Sequence, residues 1–365
     1  MLITAARRCA RASLTMAFLR HSLLVVGLTV GAAACSDTGS PADPGPPRRV
    51  PLTELGAGTY KGFTGGLYPA GSNLEPAAHS AVGLTRAQGI VPRDTAGTPN
   101  AGGKIVLLSI GMSNTTQEFC AGSSTTTSCS AWSFMGQAAA DTSVNRTTLV
   151  IVNGARGGQD AQTWDAATDA NYDSVRLNRL GPLGLTERQV QVAWVKQADA
   201  GPQDSLASSQ AEAYLLETRL GNIVRALKTR YPNLTLVFLS SRIYAGYATT
   251  TLNPEPHAYE SGFAVKWLAQ AQIDQMASGG AVTDSRAGDL NYDTGAPWIG
   301  WGPYLWAEGT TPRQGDGLIW QLADFAPDGT HPSQSGQQKV GTMLLGFFKA
   351  SPFTKCWFVN GGTCA

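Results

Sequence analysis

The stretch Lys104-Ile-Val-Leu-Leu-Ser-Ile-Gly111 decides the fold class, because it is a short and almost uninterrupted apolar run. Such runs are typical of strands that are covered on both faces, as in a parallel sheet. Three more β-rich runs follow, at 148–154, 189–195 and 234–240. Between the last two, apolar residues recur at helical spacing from Leu216 to Tyr231, and Pro232 ends the pattern.

Two further helices are predicted, one at 263–276 and one that begins after Ser333, a suitable N-cap. Strands that alternate with helices predict an α/β fold, a three-layer α/β/α sandwich around a mostly parallel sheet. The active site of such a sheet is expected at the carboxyl ends of its strands, where the loops converge. The main domain then spans 104–365, and the Gly-, Pro-, Ala- and Thr-rich segment 51–103 is expected to wrap its core as loops and short strands.

Composition excludes some classes of protein. Of the 365 residues, 15% are charged and 42% are hydrophobic, which is enough to build a sizeable core. Four arginines and no acidic residue fall in 1–34, so the remainder carries 23 basic and 26 acidic residues. Without a concentrated basic surface, no nucleic-acid partner is expected.

The N-terminal segment 1–34 has the features of a secretion signal: arginines, then an apolar run that is too short to span a membrane, then small residues. Cys35 follows directly and is interpreted as the lipidated cysteine of a bacterial lipoprotein, with 35–50 as a tether. The alternative is an ordinary signal peptide that contains a cysteine. Either way the protein is expected to be exported, to the cell envelope, the periplasm or the medium.

Four cysteines remain, and they form two close pairs in the sequence: Cys120 with Cys129, and Cys356 with Cys364. Pairing within each pair is the simplest of the three possible connectivities, and an oxidising compartment favours it. Metal binding is the competing interpretation. It is disfavoured because neither pair has the spacing or the nearby histidines of a zinc site.

Two segments carry residues suited to nucleophilic catalysis. Ser113 follows the first predicted strand, where the serine's own N–H can point at a developing oxyanion. Asp328-Gly-Thr-His331 precedes the last helix, and an Asp three residues before a His can orient its ring. Each segment alone also fits a turn or a helix cap. Asp324 is a second choice for the acid, because it lies farther from His331.

Together these segments resemble the SGNH (GDSL-type) hydrolases over roughly 104–350. The resemblance implies a flavodoxin-like sandwich, with Ser113 as the nucleophile, His331 as the base and Asp328 as its partner. It also maps the glycine block of that superfamily to 153–159, which makes Gly158 an oxyanion donor beside the N–H of Ser113. The superfamily's asparagine block has no clean match in this sequence.

Ser113-Asn114 and Trp194 with Gln197 are similar to motifs of the carbohydrate acetylesterase branch. This similarity implies a carbohydrate O-acetylesterase, with Asn114 at the substrate and Gln197 as a third oxyanion donor. Gln197 is alternatively an ordinary polar residue at a strand end. The competing functions are a lipase or lysophospholipase for longer acyl chains, and a surface lipoprotein that binds glycans without cleaving them.

The segment 286–326 is unusually aromatic and is interpreted as an insertion that shapes the pocket. Its tryptophans either contact substrate or fill the core; they are Trp298, Trp301, Trp306 and Trp320. Arg156 and Arg313 are candidates for contacting a charged substrate, or solvated surface residues. No phosphate-binding loop or metal-ligand cluster stands out, so no cofactor and no metal are expected. The expected partner is a small-molecule or polysaccharide ester, and membrane contact is expected only through the lipid anchor.

Overall fold

A computed structural model describes residues 49–122 and 128–365; the proposed signal, Cys35 and most of the tether lie outside this part. The described residues contain a five-stranded sheet in which every pairing is parallel. Counted along the chain, its strands take the spatial order 2-1-3-4-5, the order of a flavodoxin-like fold. Its strands are β3 (Ile105–Gly111), β4 (Leu149–Asn153), β5 (Val190–Lys196), β6 (Leu236–Leu239) and β7 (Trp298–Trp301), while β1 (Thr59–Tyr60) and β2 (Phe63–Thr64) form a small antiparallel pair.

Helices cover both faces of the sheet, which confirms the predicted three-layer α/β/α sandwich. They are α1 (Leu52–Leu55), α2 (Ala77–Gln88), α3 (Ser113–Phe119), α4 (Phe134–Ala140), α5 (Ala170–Val175), α6 (Glu212–Arg230), α7 (His257–Ala277), α8 (Gln334–Ala350) and α9 (Lys355–Phe358). Along β3, Val106 and Leu108 join the core beneath α5, α6 and α7. Ile105 and Leu107 face the other way, into the core with α2, α3, α4, α8 and α9.

The four predicted strands are confirmed as β3 to β6, but the fifth strand was not predicted. β7 lies inside the aromatic segment that we interpreted as an insertion, and it pairs with β6 along Leu236 to Leu239. Trp298 and Trp301 fall on opposite faces of the sheet, so each enters a different half of the core. The strand was missed because we interpreted its bulky aromatic residues and its central glycine as part of a pocket wall.

The segment 51–103 contains more regular structure than we expected. α2 spans twelve residues and packs against β7, where His79 stacks on Trp298 at 4.8 Å between ring centroids. Its buried face consists of His79, Gly83 and Ala87. Small residues and a histidine do not form the large apolar stripe by which an amphipathic helix is recognised, which is why the sequence did not predict it.

Two disulfide bonds link the pairs that the sequence spacing predicted. Cys120 and Cys129 join the end of α3 to the segment before α4. Cys356 and Cys364 tie the C-terminal residues to α9. The predicted connectivity is therefore confirmed. Each bond closes a short loop next to a helix of the same sheet face, so both restrain the periphery of that layer.

Candidate active site

Ser113 lies at the turn from β3 into α3, at the carboxyl edge of the sheet. Gly111 permits this turn, because a side-chain carbon there would lie 2.3 Å from the carbonyl oxygen of Lys196 on the neighbouring strand. Thr115 Oγ1 donates a 2.7 Å hydrogen bond to that same carbonyl oxygen. The chain thus leaves the strand against β5, and Ser113 occupies the first turn of a helix that is fixed to the sheet.

The structure brings Ser113 together with His331 and Asp328. Ser113 Oγ and His331 Nε2 are 2.8 Å apart, although the residues are separated by 218 positions in the chain. On the other side of the ring, His331 Nδ1 lies 2.5 Å from Asp328 Oδ2. A carboxylate, an imidazole and a hydroxyl in this order allow the imidazole to take the hydroxyl proton while the carboxylate orients the ring.

Asp328 is held in its ionised form by its surroundings. Burial raises its pKa, but hydrogen bonds from the backbone N–H and ring of His331, and from the N–H of Thr330, more than offset this and leave the pKa below its ordinary value. The two backbone donors lie 3.0 Å and 2.9 Å from Asp328 Oδ1. One carboxylate oxygen therefore fixes the turn, and the other is left for the imidazole.

Contacts from other elements hold the turn that carries His331. Asn114 Nδ2 donates to the carbonyl oxygen of Thr330 at 3.0 Å, and the hydroxyls of Thr250 and Thr330 are 2.8 Å apart. Gly329 has a φ of +62° and packs so closely on Tyr247 that a side chain would clash with its carbonyl oxygen. Asn114 also lines the cavity at Ser113, but its amide nitrogen is engaged by the turn.

Gly158 lies in the same cavity wall, in the loop after β4. Its φ is +73°, a conformation that favours glycine, and its N–H has no acceptor within the part of the chain that the structure describes. The N–H of Ser113 lies in the first turn of α3, where backbone donors lack an intrahelical partner. Two backbone donors are thus available near the Ser113 hydroxyl.

Gln197 follows β5 and is buried, but it does not line this cavity. Among the described residues, neither its amide nitrogen nor its amide oxygen has a hydrogen-bond partner. The structure therefore does not bring Gln197 to the wall formed by Ser113 and Gly158, and its role as a third donor stays a prediction.

Three ionisable residues that line the cavity were missed by the sequence analysis: Arg242, Asp199 and Asp160. Arg242 follows β6 and is 2% exposed; its Nη1 meets only the sulfur of Met112, at 3.8 Å, and Nε and Nη2 have no acceptor among the described residues. Next to it, Lys196 and Glu118 form a fully buried ion pair. A polar run directly after a predicted central strand, Ser240-Ser241-Arg242, was the signal that could have found this arginine.

Asp199 brings a titratable carboxyl into the cavity from the loop after β5. Burial and the neighbouring Glu212 raise its pKa to about 7, although the Arg219 guanidinium, 2.5 Å away, opposes this. The chain order Gln197-Ala-Asp199 was visible in the sequence. That Asp199 enters the pocket while Gln197 does not depends on the exact path of the loop.

The four tryptophans predicted at the substrate are packed in the core instead. Trp298, Trp306 and Trp320 are fully buried and Trp301 is 4% exposed, and none lines the cavity at Ser113. Every indole N–H has an internal acceptor, namely the carbonyl oxygens of His79, Leu67 and Leu305 and the carboxylate of Glu255. With the N–H groups satisfied inside the protein, these rings serve packing rather than substrate contact.

The remaining candidates have structural partners. Asp324 pairs with Lys339 and accepts a 2.8 Å hydrogen bond from Ser335, so it does not serve His331. Arg313 is buried and donates to the carbonyl oxygens of Tyr304 and Trp306. Within residues 49–122 and 128–365, no three His, Cys, Asp or Glu side chains are grouped to hold a metal ion.

No protein-family model matches this sequence, and no curated protein matches it either. Among solved structures, the chain is similar to a GDSL-like lipase from Parabacteroides merdae, at 12% identity and a TM-score of 0.37, covering 70% of this chain and 96% of that one. It is also similar to an extracellular lipase from Streptomyces rimosus, at 14% identity and a TM-score of 0.30, covering 66% and 99%.

A carbohydrate acetylesterase from Xanthomonas citri is a further structural neighbour, at 12% identity and a TM-score of 0.33, covering 68% of this chain and 56% of that one. These neighbours bear the names of the hydrolases that the sequence motifs resemble. Similarity at this level carries no information about the reaction, which has to be derived from the chain's own residues.

Proposed function

We propose that this chain is an exported serine esterase of the SGNH type, with Ser113 as nucleophile, His331 as base and Asp328 as the acid that orients it. The observation that carries the proposal is the hydrogen-bonded series from Ser113 Oγ to His331 Nε2 at 2.8 Å and from His331 Nδ1 to Asp328 Oδ2 at 2.5 Å. It lies in a cavity at the carboxyl edge of a parallel sheet, where substrates of such folds bind.

In the proposed mechanism, the oxygen of Ser113 attacks the ester carbonyl while His331 Nε2 takes the hydroxyl proton. Asp328 stabilises the imidazolium, which then gives its proton to the departing alcohol. The acyl group stays on Ser113. A water molecule, deprotonated by the same imidazole, attacks this acyl-enzyme and releases the carboxylic acid and the free serine.

The negative charge on the carbonyl oxygen is proposed to be held by the N–H groups of Ser113 and Gly158. Loss of one oxyanion donor typically raises the barrier by about 3–4 kcal/mol. The positive charge of Arg242 in the same cavity wall is suited to stabilise that oxygen further. It occupies the wall where we had expected Gln197 to contribute.

We assign the acyl group to acetyl and the alcohol to a carbohydrate. The cavity beside Ser113 has a volume of about 160 Å³, small against the several hundred Å³ of typical ligand pockets. That size favours a short acyl group over a long chain. The similarity of Ser113-Asn114 to the acetylesterase motifs points the same way. Hydrolysis of para-nitrophenyl esters from acetate to long chains tests the assignment, and a preference for long chains would make the protein a lipase.

The nucleophile itself is tested with a fluorophosphonate probe on folded protein. Wild-type protein should be labelled at Ser113, and Ser113→Ala should remove both the label and ester hydrolysis, on the order of 10⁴- to 10⁶-fold. Ser174→Ala on α5, away from the cavity, is the matched control and should behave as wild type. Folded wild-type protein that takes up no label would contradict the esterase function and favour the non-catalytic, glycan-binding alternative.

Export is supported by the chemistry of the chain. Two disulfide bonds are typical of oxidising compartments outside the cytoplasm. Among the residues that the structure describes, no helix is both long and apolar enough to cross a bilayer. We further propose that the exported protein is lipidated at Cys35.

A further inference from the structure

A second groove opens between α3 and the loop after β4, next to the nucleophile. It has a volume of about 580 Å³, and Gln117, Gly157, Trp132, Arg156 and Arg179 are among the residues that line it; we call it the arginine groove. A side-chain carbon built on Gly157 would lie 3.8 Å from Cβ of Ser113. The groove therefore begins beside Ser113, outside the small cavity that is assigned to the acyl group.

Two arginines in the arginine groove have no acidic partner. Neither Arg156 nor Arg179 forms an ion pair with any residue in the described ranges 49–122 and 128–365. Arg156 Nη1 donates to Asn171 at 2.5 Å, whereas the side chain of Arg179 donates no hydrogen bond to a described residue. Burial lowers the pKa of Arg179, and the positive charge of Arg156 lowers it further. Two half-buried like charges side by side favour an anion between them.

The remaining lining of the arginine groove suits a sugar better than a lipid. Trp132 donates its indole N–H to Gln337 at 2.8 Å and is half-buried, so part of its ring is left for stacking. Thr116, Gln117 and Ser130 add polar groups. In the described part of the chain, none of the large apolar side chains that are exposed lines this groove. The aliphatic residues that line the groove are alanines, so an acyl chain would find no large aliphatic side chain to pack against.

We propose that the arginine groove binds a carboxylate-bearing sugar unit, so that the substrate is an ester of an acidic glycan rather than of a neutral one. A guanidinium binds a carboxylate through two parallel hydrogen bonds, which gives both affinity and orientation. Because the arginine groove begins beside Ser113, a sugar unit held there would place a neighbouring esterified unit on the side of the nucleophile. The choice of substrate rests on the proposed esterase function, whereas binding of the glycan does not.

Binding is tested first, because it does not depend on catalysis. By calorimetry, wild-type protein should bind a short galacturonic acid oligomer more tightly than a xylose oligomer of the same length, and added salt should weaken only the former. Arg179→Gln should weaken the acidic oligomer about tenfold or more, the effect of losing one hydrogen bond to a charged group. Arg176→Gln is the matched control; Arg176 lies on the same π-helical turn but is exposed and pairs with Asp173 at 3.4 Å.

Hydrolysis separates this inference from the esterase function. Arg179→Gln should lose kcat/KM on acetylated galacturonan by about the same factor, while para-nitrophenyl acetate and acetylated xylan are cleaved as by wild type. Equal binding by wild type and Arg179→Gln, or equal affinity for the neutral oligomer, would overturn the assignment. Tighter binding to phosphatidylglycerol vesicles than to the acidic oligomer would overturn the proposal and indicate that the groove binds an anionic lipid. A protein that binds the acidic oligomer but cleaves no ester would support the proposed binding site and contradict the proposed esterase function.

Discussion

At the scale of single residues, Asp328 does two things in the turn before α8. Its Oδ1 accepts from two backbone N–H groups, which shapes the turn, and its Oδ2 meets the ring of His331. The first contact is structural and the second is proposed to be chemical. A substitution that keeps the shape of the side chain can therefore separate the two.

Asp328→Asn should lower kcat for para-nitrophenyl acetate, on the order of 10³- to 10⁴-fold, and should leave the fold intact. An asparagine can still accept backbone hydrogen bonds. It cannot stabilise the imidazolium, however, and its amide nitrogen would favour the wrong ring tautomer. Kinetics of the purified variant, with circular dichroism as the folding control, measure both expectations. Unchanged kcat would remove Asp328 from the mechanism.

The effects of Ser113→Ala and His331→Ala should not add, because each variant already breaks the same proton transfer. The double variant should therefore retain about the residual activity of either single variant. The kcat values of the two single variants and the double variant, measured over the same series of substrate concentrations, test this expectation. A double variant that loses far more than either single would mean that Ser113 and His331 act independently.

Asn114→Ala should lower kcat about tenfold with little change in KM, because the amide holds the carbonyl oxygen of Thr330 next to His331. This expectation differs from our sequence-based interpretation, in which Asn114 contacts the substrate. A substrate contact would raise KM instead. The kinetic parameters for para-nitrophenyl acetate distinguish the two roles, and Thr250→Val, which loosens the same turn through its contact with Thr330, should act like Asn114→Ala.

At the scale of elements, α6 contains a buried carboxyl that lowers the free energy of unfolding as the pH rises. Glu217 is fully buried and pairs with Arg286 at 3.0 Å, while Arg286 is 45% exposed. Burial and the charge of Asp284 raise the pKa of Glu217 to about 8, against the opposing effect of Arg286. The folded protein thus holds this proton more tightly than the unfolded chain does, whose carboxyl has a pKa near 4.5.

The free energy of unfolding should therefore fall as the pH rises from about 4.5 to about 8, and Glu217→Gln should flatten this slope. One proton changes the slope by at most about 1.4 kcal/mol per pH unit. The exposed Arg286 loses little when its partner becomes neutral. Urea unfolding at a series of pH values measures the difference. Curves for variant and wild type that stay parallel over the whole range would contradict the buried, protonated carboxyl.

At the scale of the whole molecule, the strand order explains why one cavity receives residues from distant segments. β3 lies between β4 and β5, so the loops after these three strands meet at the point where the strand order reverses. Ser113, Gly158 and Asp199 arrive from these loops, and Arg242 arrives from the end of β6. Any change of strand order would separate them without changing a single local element.

The position of the whole protein in the cell depends on Cys35, which lies outside the described residues. If Cys35 is lipidated, the protein should partition into detergent, and Cys35→Ser should leave it unanchored or unprocessed. One acyl chain alone binds membranes only weakly, so a stable anchor implies more than one chain. Fractionation and mass spectrometry of the mature N-terminus check this. Soluble wild-type protein that begins at another residue would refute the anchor.

Local sequence was sufficient for the parts of the fold whose signal is local. β3, β4 and β6 were predicted because their apolar runs are nearly continuous, and β5 because its run is rich in β-forming residues. α6 and α8 were predicted because their apolar residues recur at helical spacing. The disulfide pairs followed from the short distance between their cysteines. The Asp328–His331 turn was also recognised locally, since three residues bring the two side chains within reach.

The sequence by itself therefore determined the class of the sheet and the residue types at its carboxyl edge. Only the tertiary structure decided that the segment from Trp298 to Trp301 is the fifth strand and that its tryptophans are buried. Whether an aromatic side chain is buried depends on which distant elements pack against it. The tertiary structure also decided which polar residues enter the cavity: Arg242 and Asp199 do, and Gln197 does not. These outcomes depend on loop paths between strands that are neighbours in space and distant in the chain, and no local pattern encodes such distances.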